Sequence, residues 1–483
     1  IGSSALLDNT TGTQNVAVGT SALANNTEAG CNTALGHSAM ETATTGVSNV
    51  AVGRTALNAL TTGANNVAVG KDSLKTNTTA SGNTGVGESA LELTTTGCCN
   101  TAVGNGALQA NTTGDDNVAV GQAALAFATT ADGNTAVGRF SMFCNTTASG
   151  NISVGAYSLY NNTEGFSNVA IGACQPSGFG AALELNTTGD CNVAVGNGAL
   201  RSNTTSSENT AVGTLALGCN TTATRNVAVG YQALRDNTTG ERATAIGWCA
   251  LASNTDSRQN IGVGYISLQD NTTGEFNTSI GSASLSNNTT ADYNVGVGYQ
   301  SLNLNTTGCQ NTAVGSNSLS QNTTGCNNTA VGFEAMKVVS SGPNNTGFGF
   351  RAMCKTLAGN HNTAMGSCAL CSNVGADRNV AIGSQSLINM TGTTDFHNTA
   401  VGYASGNAVT DGICNTFMGA DAGDTTTTGD NNTTIGFAAR SSSATVDNEI
   451  TLGNGNNNNL RCADTSISSL SDLRDKTNIE DIP

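Results

Sequence analysis

Residues 100–116 read NTAVGNGALQANTTGDD, and residues 117–121 begin the same pattern again with NVAVG. The glycine that closes this motif recurs at intervals of 17 residues, in 26 copies between Gly19 and Gly453. The 17-residue spacing is interrupted twice, by seven extra residues near 174–180 and by two extra residues just before the twenty-third copy. A spacing held over so many copies indicates an architecture in which each unit stacks on its neighbours.

The first four residues of the unit alternate like a β-strand. The residue before the glycine is apolar in all 26 copies, and the residue before that is Ala, Gly or Ser in 23 of them, failing only at Phe417, Thr434 and Thr451. Neighbouring residues of a strand point to opposite faces. The pattern therefore predicts one face of branched side chains that fills a core. The opposite face, made of small residues, would be approached closely by another backbone.

The residue four places after the glycine is Leu or Met in the first 22 copies, if Leu183 after the insertion is counted for the tenth. We expect the glycine to turn the chain with a positive φ, and the Leu to lie on a second short strand that folds back over the core. The Asn-Thr-Thr-Gly stretch predicts the return turn, because Asn and Gly tolerate the left-handed region and Thr bonds locally. The sequence therefore predicts an all-β chain, a narrow parallel β-solenoid of about 26 coils that is roughly 125 Å long at about 4.8 Å per coil.

Composition and charge exclude several other classes of protein. The 483 residues include 60 Gly and only 3 Pro, with 10% charged residues, which is typical neither of disorder nor of collagen. No apolar run is long enough to span a membrane. The net charge of −16 disfavours nucleic acid as a partner, since such binding needs a clustered basic surface. Length alone would suggest about three domains, but the repeat makes residues 1–455 one shaft, degenerate over 384–455.

The energetics of one coil predict self-association. Each coil buries about three modest side chains, at roughly 1.5–3 kcal/mol each, while ordering its backbone costs on the order of 17–34 kcal/mol. Packing of the small-residue face on copies of itself would add stability. We expect a homotrimer, because parallel rods with one small face close around a three-fold axis.

The Asn-Val-Ala-Val-Gly motif with its following Ala-Leu, as in residues 117–125, resembles the head repeats of trimeric autotransporter adhesins. Those repeats form a left-handed parallel β-roll in a homotrimer. The form Asn-Thr-Ala-Val-Gly…Asn-Thr-Thr-Gly is similar to repeat shafts of viral and phage tail fibres and related algal or giant-virus surface proteins. The resemblance covers residues 9 to about 455. It implies a left-handed, homotrimeric shaft of an extracellular, cell-surface or virion appendage.

Residues 471–479 read SDLRDKTNI and resemble the start of the endosialidase-type intramolecular chaperone domain of tail spikes and fibres. The resemblance implies a chaperone that trimerises the shaft and then cuts itself off. Ser471 would be the nucleophile and cleavage site, and Lys476 the general base, a role open to a lysine whose pKa is lowered by burial. We expect 456–470 to be a linker and 471–483 the truncated start of this domain, so that cleavage needs further residues.

The position of cysteines in the repeat predicts two disulfides among the 15 cysteines. Cys309 and Cys326 are 17 residues apart, as are Cys354 and Cys371, so each pair occupies one position on adjacent coils. Coils stacked about 4.8 Å apart lie within the Cα separation that a disulfide tolerates. We predict a Cys309–Cys326 and a Cys354–Cys371 bridge, which favours an oxidising, extracellular location.

The insertion near 174–180 departs from the composition of the repeat. Pro176 and Phe179 within it are candidates for binding a host receptor or glycan, because recognition concentrates on such loops. Cys174 and Cys191 flank the insertion. Two alternatives remain open for this pair: a disulfide that fixes the insertion in place, or two free thiols.

The Asn-Thr-Thr element is also an acceptor for N-glycosylation. In a eukaryotic secretory pathway it would place glycans along one edge of the rod, whereas in a bacterial or phage protein it is a turn motif kept for backbone reasons. The candidate asparagines are Asn77, Asn111, Asn145, Asn186, Asn203, Asn220, Asn237, Asn271, Asn305 and Asn322.

Apart from the self-cleavage motif, no group of residues in the sequence indicates an enzyme, a cofactor site or a metal site. We expect a structural fibre that serves adhesion, with copies of itself and a host-cell surface glycan or receptor as partners. One alternative is a receptor- or glycan-binding module that acts through the insertion. A second is an ice- or crystal-binding array of stacked Thr pairs, which interruptions at residues 254–256 and 373–375 disfavour.

Overall fold

A computed structural model describes residues 1–174, 178–393 and 395–457. This part of the chain is a parallel β-solenoid, as the repeat predicts, and each coil contains one three-residue strand. The 26 strands are β1 (Val16–Val18), β2 (Thr33–Leu35), β3 (Val50–Val52), β4 (Val67–Val69), β5 (Thr84–Val86), β6 (Thr101–Val103), β7 (Val118–Val120), β8 (Thr135–Val137), β9 (Ile152–Val154), β10 (Val169–Ile171), β11 (Val193–Val195), β12 (Thr210–Val212), β13 (Val227–Val229), β14 (Thr244–Ile246), β15 (Ile261–Val263), β16 (Thr278–Ile280), β17 (Val295–Val297), β18 (Thr312–Val314), β19 (Thr329–Val331), β20 (Thr346–Phe348), β21 (Thr363–Met365), β22 (Val380–Ile382), β23 (Thr399–Val401), β24 (Thr416–Met418), β25 (Thr433–Ile435) and β26 (Ile450–Leu452). Within the described residues, no helix has the length and apolar character needed to cross a membrane.

Consecutive strands pair in parallel and form one sheet along the solenoid. Residues that occupy the same position of the repeat lie side by side. The seven extra residues fall between β10 and β11, where Val169 still pairs with Val193. The two extra residues fall between β22 and β23, where Val380 pairs with Thr399. Both insertions therefore lie between strands and leave the register of the sheet unchanged.

The small face of the strands points into the coil, and the branched face points outward. Ala119, in the middle of β7, is fully buried, whereas Val120 beside it keeps 36% of its surface exposed. The middle residue is buried in every strand from β1 to β25. In β26 the middle residue, Thr451, is half-buried. The interior is so narrow that a Cβ added at Gly85 would lie 2.6 Å from Ser73 Oγ. The prediction that branched side chains fill the core is wrong, because in most coils this position has room for little more than a methyl group. The prediction that the small-residue face packs on copies of the chain is wrong for the same reason, since that face is buried inside the coil.

The Leu that follows the motif glycine is buried, but it does not lie on a second strand. Leu125 has a φ of +53°, which takes the chain out of the extended conformation. Its backbone N–H nevertheless donates to Ser141 O on the next coil, at 2.9 Å. A left-handed residue costs roughly 1–2 kcal/mol, and burial of the Leu side chain contributes about 1.5–3 kcal/mol. The predicted second strand is thus replaced by turns whose Leu side chains fill the core.

Close approach between coils explains the motif glycine. Gly121 has a φ of +134°, and a Cβ added there would lie 2.6 Å from Gly138 O on the next coil. Both the conformation and the contact exclude a side chain. The positive φ that the sequence predicts at this glycine is confirmed.

Two columns of buried asparagine complete the interior. In the column before the strands, the Asn134 backbone N–H donates to Asn117 Oδ1 at 2.9 Å, and Asn134 Nδ2 donates to Ala148 O at 2.9 Å. In the column of the Asn-Thr-Thr element, Asn203 Nδ2 donates to Asn186 Oδ1 at 2.8 Å. These amides pair with one another and with backbone groups that the narrow interior shields from water.

The core is rearranged where the repeat degenerates. Phe417 takes the place of the small residue in β24 and is fully buried. The Leu positions of the coils that begin with β23 and β24 are Gly406 and Gly423, and a Cβ added at Gly406 would lie 2.8 Å from Phe417 Cδ2. The phenyl ring therefore occupies space that Leu side chains fill in other coils.

Candidate interaction surface

The third residue of every strand forms one apolar column on the outside of the solenoid. It is Val, Ile, Leu, Met or Phe in all 26 strands, and it is half-exposed or exposed in each of them. Exposure of these side chains reaches 51% at Phe348 and 54% at Leu452. Exposed apolar side chains in an unbroken row differ from the scattered ones that any soluble protein carries.

The first residue of every strand points the same way, because it lies two residues before the third. It is Thr, Val or Ile in all 26 strands. The two rows together are called the outward strand face below. Neither row contains a charged side chain, so this face consists of one apolar row beside one row of β-branched Thr, Val and Ile.

Charged side chains lie on the turns instead, where neighbouring coils pair them. Arg225 Nε lies 2.6 Å from Glu208 Oε2, and Lys71 Nζ lies 3.0 Å from Glu88 Oε1. All four side chains are about half-exposed, and such pairs contribute little to stability. The surface is thus divided into an uncharged strand face and turns that carry these ion pairs.

A second feature is a cluster of five aromatic rings, which we call the aromatic patch. It consists of Phe127, Phe140, Phe143, Tyr157 and Tyr160. The centroids of Phe140 and Phe143 are 5.1 Å apart, edge to face, and those of Phe143 and Tyr160 are 5.3 Å apart, stacked. Phe127 is 49% exposed and the other rings are half-buried. Only 4% of the residues in the chain are aromatic, so a cluster of five rings sets this part of the surface apart from the rest of the repeat.

The aromatic patch adjoins the insertion and carries one cation. The insertion begins at Cys174, whose backbone N–H donates to Ala156 O at 3.0 Å. Cys174 therefore lies beside Tyr157, at the same position of the next coil. The Arg139 guanidinium lies 4.7 Å from the centroid of the Phe140 ring, a cation–π contact. Sequence reasoning missed the patch, although the 17-residue spacing of Phe140 and Tyr157 was its signal.

The predicted binding residues of the insertion are only partly described. Pro176 lies outside the described residues. Phe179 is 37% exposed and is therefore available to a ligand. The binding role of both residues stays a prediction.

The two predicted cysteine pairs are brought together. The Sγ atoms of Cys309 and Cys326 are 2.9 Å apart, and those of Cys354 and Cys371 are 2.7 Å apart. All four are free thiols in the structure. The contacts are closer than ordinary packing of two sulfur atoms and longer than the roughly 2.05 Å of a disulfide. The predicted stacking is confirmed, and the covalent bonds stay predictions.

Cys174 and Cys191 occupy different columns of the coil. Cys174 follows Tyr157, whereas the Cys191 backbone N–H donates to Phe166 O at 3.0 Å, which places Cys191 after Ser167. Both are exposed free thiols. The structure thus favours the free-thiol alternative for this pair.

The candidate glycosylation sites are on the inside. Each of the ten asparagines is fully buried, and each donates through Nδ2 to the carbonyl oxygen three residues later. The expectation that they lie along an exposed edge is wrong. A glycan on Nδ2 would require the side chain to leave the interior, which favours the alternative that the Asn-Thr-Thr element is a turn motif kept for backbone reasons. The set comprises Asn77, Asn111, Asn145, Asn186, Asn203, Asn220, Asn237, Asn271, Asn305 and Asn322.

The stacked threonines form only part of a regular hydroxyl array. The first Thr of the element bonds to the next coil, as where Thr112 Oγ1 donates to Thr129 O at 2.9 Å. The second Thr, such as Thr113, is exposed. One of the two hydroxyl columns is therefore already used for bonding between coils.

Two further predictions concern the chemistry of the chain. Ser471 and Lys476, the predicted self-cleavage pair, lie outside the described residues. Among the residues that the structure does describe, no three His, Cys, Asp or Glu side chains are grouped closely enough to hold a metal ion. A scan of protein-family models and a comparison with curated proteins both find no match to the chain.

Proposed function

We propose that the chain is the structural shaft of an extracellular fibre and that copies of it associate through the outward strand face. The observation that carries this proposal is the unbroken apolar column on that face. Inside a monomeric rod the core is already complete, since Ala and Leu side chains fill it. The outward Val and Ile side chains are therefore available for contacts between chains, and not for contacts within one.

The size of the outward strand face supports this assignment. Its side chains leave on the order of 1,000 Å² of apolar surface in water, whereas monomers rarely expose contiguous patches above a few hundred Å². A specific interface buries about 800 Å² on each partner. Copies aligned in parallel would cover the face along its length. The proposed copy number of three rests on the resemblance to trimeric autotransporter adhesin heads and tail-fibre shafts.

The oligomeric state of the purified chain tests the proposal. Sedimentation equilibrium should give a mass three times that of the 48.2 kDa chain. The double variant Val212→Lys/Val229→Lys places two charges on the outward strand face and should dissociate the oligomer. A matched control, Thr222→Lys/Thr239→Lys, changes exposed turn residues of the same two coils and should leave the mass unchanged. A wild-type chain that sediments as a folded monomer would refute the proposal.

A second candidate function, adhesion to a surface glycan, is favoured by the aromatic patch beside the insertion. The half-buried and exposed rings lie beside the exposed Cys174 at the start of the insertion. They offer stacking surfaces to sugar rings, and Arg139 and the two tyrosine hydroxyls offer hydrogen bonds. A glycan array probed with wild-type protein should show binding that is lost in Phe143→Ser/Tyr160→Ser. The control Tyr299→Ser/Tyr403→Ser changes exposed rings elsewhere and should bind like wild type. An array without any signal for wild-type protein would exclude this role for the glycans tested.

Maturation by cleavage at Ser471 is part of the same proposal and rests on the resemblance of residues 471–479 alone. Mass spectrometry of the protein purified from its natural source should find a C terminus at residue 470. A natural fibre in which residues 471–483 remain attached would contradict it.

A further inference from the structure

One position of the repeat carries most of the exposed aromatic rings outside the aromatic patch. It is the residue that directly follows the motif glycine. In the 14 coils from β13 to β26 this residue is aromatic eight times, whereas in the 12 coils from β1 to β12 it is never aromatic. These eight of the 20 aromatic residues in the chain are called the aromatic column below. They are Tyr231, Trp248, Tyr265, Tyr299, Phe333, Phe350, Tyr403 and Phe437.

The aromatic column borders the outward strand face. Each ring follows the outward third residue of its strand by two positions, as Trp248 follows Ile246. All eight residues are exposed, from 41% of the surface at Tyr231 to 68% at Phe437. A fully covered aromatic side chain buries about 150–250 Å², so eight rings that are about half-exposed leave on the order of 800 Å² in water. That is about the area which one partner of a specific interface buries.

The orientation of the rings favours a protein surface as the occupant. The centroids of Tyr231 and Trp248 are 5.9 Å apart and those of Trp248 and Tyr265 are 5.1 Å apart, each with 15° between the ring planes. Phe333 and Phe350 stack in the same way, 5.7 Å apart. The rings therefore cover one another's faces, which are the surfaces that a sugar ring would need. Their edges stay free, and phenol and indole side chains of this kind are enriched where two proteins meet.

The same position carries charge in the other half of the solenoid. Arg54, Lys71, Glu88 and Arg139 occupy it in the coils of β3, β4, β5 and β8, whereas no coil from β13 to β26 has a charged residue there. Two copies that lay antiparallel over their full length would place aromatic rings against these charges and remove the charges from water, which is costly. An antiparallel pair that overlapped only in the aromatic half would leave the outward strand face of β1 to β12 in water. Parallel copies in register avoid both costs.

We propose that the aromatic column is part of the contact between copies of this chain and that it sets the copies parallel and in register. The inference rests on the proposed association through the outward strand face and adds the orientation of the copies. The backbone of the column is already fixed within one chain, since Trp248 O accepts a hydrogen bond from the Ile266 N–H at 2.9 Å. Association therefore costs little further ordering of the backbone.

The fluorescence of Trp248, the one tryptophan in the sequence, tests this contact on the full chain. In the wild-type oligomer we expect blue-shifted emission and acrylamide quenching several-fold weaker than in the monomeric Val212→Lys/Val229→Lys variant, because the indole is buried against another copy. Equal emission and quenching in the two proteins would overturn the inference and leave association through the outward strand face intact. Emission that responds to soluble glycans and not to dissociation would overturn it as well, in favour of sugar binding.

Substitution of two neighbouring rings provides a second test. Trp248→Ser/Tyr265→Ser should raise the concentration at which half of the oligomer dissociates by about tenfold or more, since Trp and Tyr dominate the energetics of interfaces. The matched control Asn105→Ser/Gln122→Ser changes exposed residues at the same position of two neighbouring coils and should leave this concentration unchanged. Circular dichroism checks that both variants fold, and the fluorescence test on wild-type protein does not depend on them. Equal concentrations for the two variants would contradict the inference, whereas a monomeric wild type would refute the proposed shaft association too.

Electron microscopy tests the orientation of the copies. With an N-terminal hexahistidine tag labelled by nickel-bearing gold, all gold particles should lie at one end of each rod. Gold at both ends of rods roughly 125 Å long would show full-length antiparallel copies, and longer rods would show a staggered arrangement. Either result would overturn the parallel register without affecting the proposed association of copies.

Discussion

At the scale of single residues, backbone conformation decides which side chains the repeat accepts. Each coil contains residues with left-handed φ that are not glycine, such as Leu108 at +51° and Asp116 at +57°. Strain at these residues is offset by burial of Leu and by hydrogen bonds between coils. The motif glycine is different, because both its φ and the carbonyl of the next coil exclude a Cβ.

Two glycines of one coil, Gly121 and Gly133, allow this difference to be measured. At Gly133 the φ is +63° and an added Cβ has no neighbour within 4 Å, so Gly133→Ala should cost about 1 kcal/mol for the left-handed conformation alone. Gly121→Ala adds a clash with Gly138 O and should cost about 1–3 kcal/mol more. Hydrogen exchange in the flanking coils measures both. Equal costs would contradict the close-approach explanation.

At the scale of the element, the coil is held together by amide columns rather than by a large apolar core. In the column before the strands, the Oδ1 of each Asn accepts a hydrogen bond from the backbone N–H at the same position of the next coil. The Asn117 N–H, for example, donates to Asn100 Oδ1 at 2.9 Å. Ala243 interrupts this column and offers no such acceptor to Asn260. Buried donors without an acceptor are costly, so the interruption is a weak point.

Restoring the column at that position should stabilise the solenoid. Ala243→Asn supplies an acceptor for the Asn260 N–H and should raise stability by about 1 kcal/mol. The control Asn226→Ala removes the acceptor of the Ala243 N–H, now at 2.8 Å, and should lower stability by about 1–3 kcal/mol. Urea unfolding measures both changes. A destabilised Ala243→Asn would show that the space there is already filled.

The core around Phe417 provides a test of packing between coils. A Cβ added at Gly423 would contact the ring of Phe417, so Gly423→Ala should destabilise the chain by about 1–3 kcal/mol through overpacking. Phe417→Ala should cost about 3–5 kcal/mol through the cavity that it leaves. In the double variant, Gly423→Ala should cost only the roughly 1 kcal/mol of its left-handed conformation, at a φ of +69°. Additive effects in this double-mutant cycle would contradict the shared-space interpretation.

At the scale of the whole molecule, each strand contacts only the strands of neighbouring coils. Stability is then a sum of coil and interface terms. The outward strand face is the one surface on which all 26 coils present apolar or β-branched side chains together. Association along that face would make the unfolding of the separate coils more cooperative.

The dimensions of the particle follow from the same stacking. With 26 coils and a rise of about 4.8 Å each, the shaft should be roughly 125 Å long. Negative-stain electron microscopy of the full chain checks the length, and the Val212→Lys/Val229→Lys variant should be thinner but equally long. Compact particles much shorter than this would contradict a continuous solenoid.

How much the sequence could predict depends on the kind of information involved. The repeat locates every strand, because a fixed period and two-residue alternation are local patterns. Alternation shows that Ala119 and Val120 lie on opposite faces, but it does not tell which face is inside. The period also predicts that Phe140 lies beside Tyr157, but it does not show that the turns bring Phe140 and Phe143 of one coil into contact.

The sequence by itself determined the parallel solenoid, its register and the stacking of the Cys309–Cys326 and Cys354–Cys371 pairs, because residues one period apart must lie side by side. Only the tertiary structure decided that small residues and asparagines fill the interior and that branched residues face outward. The physical reason is the cross-section of the coil. A coil this narrow admits methyl groups, one Leu and hydrogen-bonded amides, and therefore leaves Val and Ile for the surface through which we propose that copies meet.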